Sequence, residues 1–270
     1  MRSIERGDKR SDVGVSKYAG GNYVGMLRPP LQNPIPPCNK TLHHQSYAQQ
    51  PYFMQLIRKH AVLTGITISI LLIGIAILVY PGGSLADEYS TGFSWSKNFM
   101  SNLFGTRAIN GEPNPSKIWA WAAMLVLPCS YAIFFINMAK KLPQKGVGNV
   151  IKYAGIANIP VTFLTVTHLH DVMLIISTSL FWSCMVMITV FILKSKLYVF
   201  KPACIISLVL FYYTIYLWGI SDWNLLPIMQ KVNFFTSTLL VFGLEYFTSA
   251  EDFAHIKSKA DRKFVTEPQR

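Results

Sequence analysis

The side chains able to do chemistry in this sequence are few and unevenly placed. His168-Leu169-His170-Asp171 gathers two imidazoles and a carboxylate into four residues. Read as helix, it puts His168 and Asp171 three apart on one face, where they can act together on a ligand or metal, while His170 points elsewhere. The same residues also make a polar cap, with Asp171 near a helix N-terminus where the dipole favours an anion. The stretch Ser94-Trp95-Ser96-Lys97-Asn98-Phe99-Met100-Ser101-Asn102-Leu103-Phe104 is rich in amides and hydroxyls. As a helix it carries Ser94, Asn98, Ser101 and Asn102 on one polar face and Trp95, Phe99, Leu103 and Phe104 on much of the other. It is then either a lid that touches a ligand or an interfacial helix that seals the fold. Lys231, Thr238 and Glu245 recur every seven residues, so they stack within about 40° on one helix face, the two charges roughly 21 Å apart. They cannot pair with each other. Lys231 has Asp171 or Asp222 as its candidate partner, and the stripe reads either as a conducting path or as a helix–helix contact with snorkelling ends.

The elements that must position these groups follow from composition. The 270 residues are 51% apolar and only 14% charged, against about 25% charged in a soluble domain. That excludes a wholly disordered chain, and four scattered cysteines exclude a disulfide scaffold. The net charge of +12 brings nucleic acid to mind, but so few charges on so apolar a chain fit a membrane protein better, and no nucleic-acid partner is expected. Six segments are apolar over nearly the roughly 20 residues that a membrane span needs: 61–80, 118–138, 151–167, 171–193, 202–220 and 228–247. The fold class expected is all-α, a polytopic integral membrane bundle of six transmembrane helices with a short interfacial helix in the first outer loop.

Charge sets the orientation. Residues 1–59, 139–152, 194–201 and 249–270 together hold 21 Lys or Arg, whereas the loop 81–117 and the turns around 168–171 and 221–226 hold 3. By the positive-inside rule both termini are cytoplasmic, which an even number of spans also requires. The partner expected is the lipid bilayer. The clusters Lys140-Lys141-Lys145 and Lys194-Lys196-Lys201 would draw anionic lipid headgroups at about 1 kcal/mol per residue, or serve simply as topology determinants. Trp95, Trp119, Trp121, Trp218 and Trp223 fall at the expected outer interface, with Trp182 mid-helix.

Three regions follow: a disordered basic tail over 1–59, a six-helix domain over 60–248 and a charged tail over 249–270. The first is rich in Pro and lacks a sustained apolar period, and translation starting at Met54 would leave a short basic leader instead. The sequon Asn39-Lys40-Thr41 lies on the inner side, where it is not glycosylated. Neither the placement of Cys38, Cys129, Cys184 and Cys204 nor any internal repeat points to a known architecture.

Three short stretches carry a resemblance. Tyr80-Pro81-Gly82-Gly83-Ser84 closes the first apolar segment, Asn98-Phe99-Met100-Ser101-Asn102-Leu103 lies in the outer loop, and Gly111-Glu112-Pro113-Asn114 precedes the second segment. In this order, with six apolar segments over about 60–248, the chain resembles domain-of-unknown-function family 998, multi-spanning membrane proteins without an assigned activity. Asn102 stands where that family commonly has an acid, and Phe104 where it commonly has Gly. The resemblance implies the fold and leaves the activity open.

The scarce polar groups of the spans concentrate at the outer side. The function expected is therefore binding or moving a small or lipidic ligand at an outer-facing mouth lined by Trp95, Asn98, Ser101, His168, Asp171 and Lys231. One alternative is a membrane-embedded, metal-dependent hydrolase of the ceramidase-like kind. Ser101, His168, His170 and Asp171 supply part of such a set, but the last span lacks a His-x-x-x-His pair and His255 is remote. The other alternative is a purely structural or assembly subunit. No catalytic residue, metal ligand or cofactor is assigned.

Overall fold

The computed structural model describes residues 52–256, with side chains from His60 onward. It is built of α1 (Tyr52–Leu78), α2 (Ser116–Lys141), α3 (Lys145–Leu164), α4 (His170–Lys194), α5 (Phe200–Gly219) and α6 (Leu226–Phe247). Between α1 and α2 lie an antiparallel hairpin of β1 (Gly82–Ser84) and β2 (Asp87–Thr91) and a 3-10 helix, Met100–Phe104. A second 3-10 helix, Glu251–Phe253, follows α6. Short links after α2 leave successive helices as packed neighbours.

Among the described residues, α1, α2, α4 and α5 are long and apolar enough to cross a membrane. Their outward faces carry Leu71, Ile206 and Val209, each more than half exposed. Soluble proteins rarely leave such continuous apolar surface open to water. These helices support a membrane-embedded chain.

The core runs through α2, α3, α4 and α6, where Phe134, Phe135, Met138, Ile151, Met185, Ile188, Val241 and Leu244 are buried. In lipid, apolar burial alone does not drive helices together, so close packing must do so. Small residues supply it. A Cβ on Gly155 of α3 would lie 2.7 Å from the Cβ of Phe135 on α2, and one on Gly65 of α1 would meet the Ser130 hydroxyl of α2. An aromatic series extends the core toward α5: Phe135 meets Phe181 edge-on, Phe181 meets Trp182, and Trp182 stacks on Phe211 at 4.5 Å between centroids.

The stripe on α6 is a helix–helix contact. The Thr238 hydroxyl is 2.7 Å from the Tyr131 hydroxyl of α2, and Asn137 of α2 donates to Glu245 Oε1 at 2.6 Å. Lys141 at the end of α2 donates to the carbonyls of Leu244 and Glu245, satisfying the C-terminal turn of α6.

Three expectations need amendment. Helix α1 begins at Tyr52, so 52–59, assigned above to the tail, are helical, and Met54 lies inside that helix. Residues 94–105 do not form one amphipathic helix: a turn over 95–97 precedes the five-residue 3-10 helix. The segment just after α6 is not free tail. Phe253 is fully buried in the core, and the His255 ring lies 3.0 Å from the Lys194 carbonyl. The expectations for 1–51 and 257–270, with Cys38 and the sequon, lie outside the described residues.

Replacing Gly155 with Leu overpacks the α2–α3 contact, a change that typically costs about 1–3 kcal/mol. Thermal denaturation of the detergent-solubilised chain should show a lower midpoint for Gly155→Leu. Gly74→Leu, where an added Cβ meets nothing within 4 Å, should leave it unchanged. Equal losses at both positions would contradict the close packing.

Candidate ligand-binding site

At the end of the bundle that carries the long loop, a cavity of about 890 Å³ lies between α2, α3, α4, α5 and α6. Its walls are mainly apolar, with Leu127, Phe181, Trp182, Phe211 and Phe234 in its deeper part. Pro128 in α2 helps shape the wall. Lacking an N–H, it leaves the carbonyl of Met124 without its helical donor, and both residues face the cavity. The 3-10 helix supplies the roof through Phe99, Met100, Ser101, Leu103 and Phe104.

The roof is held by hydrogen bonds that begin at the Gly82-Gly83 pair. Gly83 has φ 83°, and a Cβ there would lie 2.3 Å from the Asn110 backbone nitrogen. Only glycine takes this conformation in so tight a place. The Gly83 carbonyl accepts from the Asn98 side chain at 2.7 Å, while Asn98 Oδ1 accepts from the Ser94 N–H at 2.8 Å. Asn102 Oδ1 accepts from the Phe99 N–H at 2.7 Å. The Asn114 side chain donates to the Gly105 carbonyl, and Ser116 to that of Leu103. Tyr80 closes the set: its hydroxyl donates to the Gly83 carbonyl and accepts from the Ile109 N–H. Gly83, Asn98, Asn102 and Asn114 thus build the roof.

Two adjacent residues of α6 tie this roof down. Gln230 Oε1 accepts from the Met100 N–H at 2.9 Å. The Lys231 ammonium donates to the Asn98 carbonyl and, at 2.9 Å, to that of Pro227, and it lies 5.5 Å from the Phe93 ring centroid. The expected partnership of Lys231 with Asp171 or Asp222 is replaced by these bonds. Asp222 instead caps the α5–α6 turn, its carboxylate accepting from the N–H groups of Asn224 and Leu225.

Of the six residues expected at the mouth, Ser101 and Asp171 line the cavity. Asn98 is fully buried and spent on the roof, and Lys231 is spent on the latch. Trp95 is exposed on the loop, edge-on to Phe93. His168 is exposed in the α3–α4 turn, and because α4 starts only at His170, the helical spacing expected between His168 and Asp171 does not arise. His170 faces the cavity instead. Its Nδ1 contacts the Thr165 carbonyl, a pure acceptor, which places the ring proton on Nδ1 and leaves Nε2 of the neutral ring as an acceptor.

Sequence reasoning missed the amides. Asn158 of α3 and Asn233 of α6 both line the cavity, and the side-chain oxygen of each is buried without a hydrogen-bond partner. Asn158 is a lone amide between Ala157 and Ile159, and Asn233 follows Gln230 and Lys231 in an otherwise apolar segment, breaks in hydropathy that a reading of the outer mouth leaves unused. Leaving such a group unpaired costs about 1–3 kcal/mol. Trp218 and Trp223 also border the cavity, Trp223 edge-on to Phe99 of the roof. Among the described residues, no three His, Cys, Asp or Glu side chains come together as a metal site. No family model, curated protein or solved structure matches this chain.

Replacing Lys231 with Met removes a charge-assisted bond worth about 1.5–3 kcal/mol from the latch. Trypsin should then cut the folded, solubilised protein faster at the exposed roof residues Lys97 and Arg107, by roughly tenfold or more. Asp171→Ala should leave that rate unchanged. An unaltered rate for Lys231→Met would show that the latch does not hold the loop.

Proposed function

We propose that this chain is a six-span membrane protein with both termini on the cytoplasmic side, and that it binds a small lipidic ligand in the cavity beneath its outer loop. The observation carrying the reading is a mainly apolar space of about 890 Å³ whose walls hold a few polar side chains, Asn158, Asn233, Gln230 and Ser101 among them. An apolar cavity with a few convergent polar groups is the ordinary form of a small-molecule site. An amphiphile with a hydrogen-bond donor would satisfy both kinds of wall.

Six spans rather than four are supported by where the polar residues of α3 and α6 go. These helices have 20 and 22 residues, enough for roughly 30 Å of bilayer. They are less apolar because of Asn158, Gln230, Lys231, Asn233 and Glu245, and each of these turns toward the cavity, the roof or α2 rather than toward lipid. Intramembrane polar groups behave in this way. The membership in family 998 implied by the loop motifs belongs to the same reading, as does an attraction of exposed Lys140, Lys145, Lys194 and Lys196 for anionic headgroups. Lys141 is left out of that set because it caps α6.

Two experiments test these statements. A reporter fused to the C-terminus should signal from the cytoplasm, and an extracytoplasmic signal would rule out six spans. Native mass spectrometry of the detergent-purified chain should show a bound small lipid. Thr214→Trp, which fills the cavity from α5, should lower its occupancy by about tenfold, equivalent to roughly 1.4 kcal/mol. An unchanged adduct would place the lipid elsewhere.

A further inference from the structure

The charges around the cavity are strongly one-sided. No Lys or Arg lines it, and Asp171 is its one carboxylate. The Asp171 carboxylate, exposed at the mouth, is therefore the one formal charge it offers, and the rest of its polar lining is neutral amides, hydroxyls and rings such as Asn158, Asn233, Gln230 and Ser101. Lys231 is the cation that would reverse this balance, but it is turned to the roof carbonyl and the Phe93 ring. The positive end of the α4 dipole, roughly half a charge, offsets only part of Asp171. A carboxylate or phosphate head would meet a like charge.

The mouth also has the aromatic faces that a cation prefers. Trp218 at the end of α5 and Trp223 in the following turn border the cavity at the same end of the bundle as Asp171, and indole is the strongest of the aromatic rings for a cation. Below them the wall is hydrocarbon. From Asp171 to Trp182 along α4 is about 16 Å by helical rise, the reach of roughly a dozen methylenes. Ile175 of α4 and Ile215 of α5 line the cavity and are about half exposed, as a sideways gap between α4 and α5 requires. A molecule dissolved in the outer leaflet can slide in through that gap without its chain crossing water.

We infer that the cavity takes an amphiphilic amine, its protonated nitrogen against Asp171 between Trp218 and Trp223 and its chain running down between α4 and α5. This rests on the proposed lipid-binding reading and adds the sign and place of the head group. Asn158 makes the site more than a greasy slot. It is only 8% exposed, and its oxygen has no partner. It lies seven residues before Thr165, whose carbonyl holds His170, and so about 10 Å below the mouth. A hydroxyl or N–H on the chain at that depth would satisfy it.

The test uses the full chain in neutral sugar-detergent micelles at pH 7, with empty micelles as the blank. Three probes share one tail: dodecylamine, 1-dodecanol and dodecanoate. Equilibrium binding should rank the amine at least about tenfold tighter than dodecanoate, with the alcohol between them. Asp171→Asn should abolish the amine's advantage over the alcohol while leaving alcohol binding in place, which also shows that the variant is folded. Dodecanoate binding as tightly as the amine, or an amine preference that survives Asp171→Asn, would overturn the inference. Alcohol bound with no amine preference would overturn the head-group assignment alone, and failure of all three probes would overturn the lipid-binding reading with it.

Discussion

Where the Lys231 ammonium meets the Asn98 carbonyl, the outer loop and α6 become one body. Asn98 has its side chain committed to Gly83 and Ser94, so its carbonyl is fixed in space before Lys231 reaches it. The neighbouring Gln230 accepts from Met100, the first residue of the roof helix. These bonds tie the 3-10 helix to α6, as Ser116 and Trp121 tie it to α2 at the Leu103 and Phe104 carbonyls. With them, Phe99 to Phe104 close the top of a space that the five helices below leave open. A charge buried among apolar neighbours is costly unless donors and acceptors surround it, and here two carbonyls and an aromatic face do so.

The same constraint explains the rest of the polar inventory. Glu245 is met by Asn137, Thr238 by Tyr131, and the end of α6 by Lys141. Each removes a polar group from lipid by packing α6 against α2. Among the described residues, the buried side-chain oxygens left without a partner are Asn158 Oδ1, Asn233 Oδ1 and, at the far end of α6 and away from the cavity, Glu245 Oε2.

Much of the fold was legible because apolar runs and their breaks dominate the sequence. The apolar segments at 118–138, 171–193 and 228–247 correspond to α2, α4 and α6 to within a few residues, since Pro, Lys and short polar turns bound them. The hairpin was not legible. Gly82–Ser84 and Asp87–Thr91 show no apolar alternation and hold one β-branched residue, Thr91, and their pairing depends on glycine conformations and a tight turn. The site was legible only in part. Asp171 and Ser101 face the cavity as expected, but charge-pair reasoning could not foresee that Lys231 would choose a backbone carbonyl. The pairing of His168 with Asp171 assumed a helix that begins two residues later, and so the cavity received His170 in its place. Asn158 and Asn233 are far apart in sequence, and only the packing of α3 and α6 around a common space gives them a shared meaning.

A cavity that holds an amphiphile beneath a latched roof is the proposal on which the functional reading rests. The most direct measurement is an electron cryomicroscopy map of the full chain in a lipid nanodisc at a resolution that shows side chains. The account predicts elongated density between α4 and α5, one end beside Asp171 and Trp218 and the body near Phe211, with the roof helix seated on Gln230 and Lys231. A map in which α4 and α5 pack directly together, with Asn158 and Asn233 bonded to protein neighbours and no space between them, would contradict it.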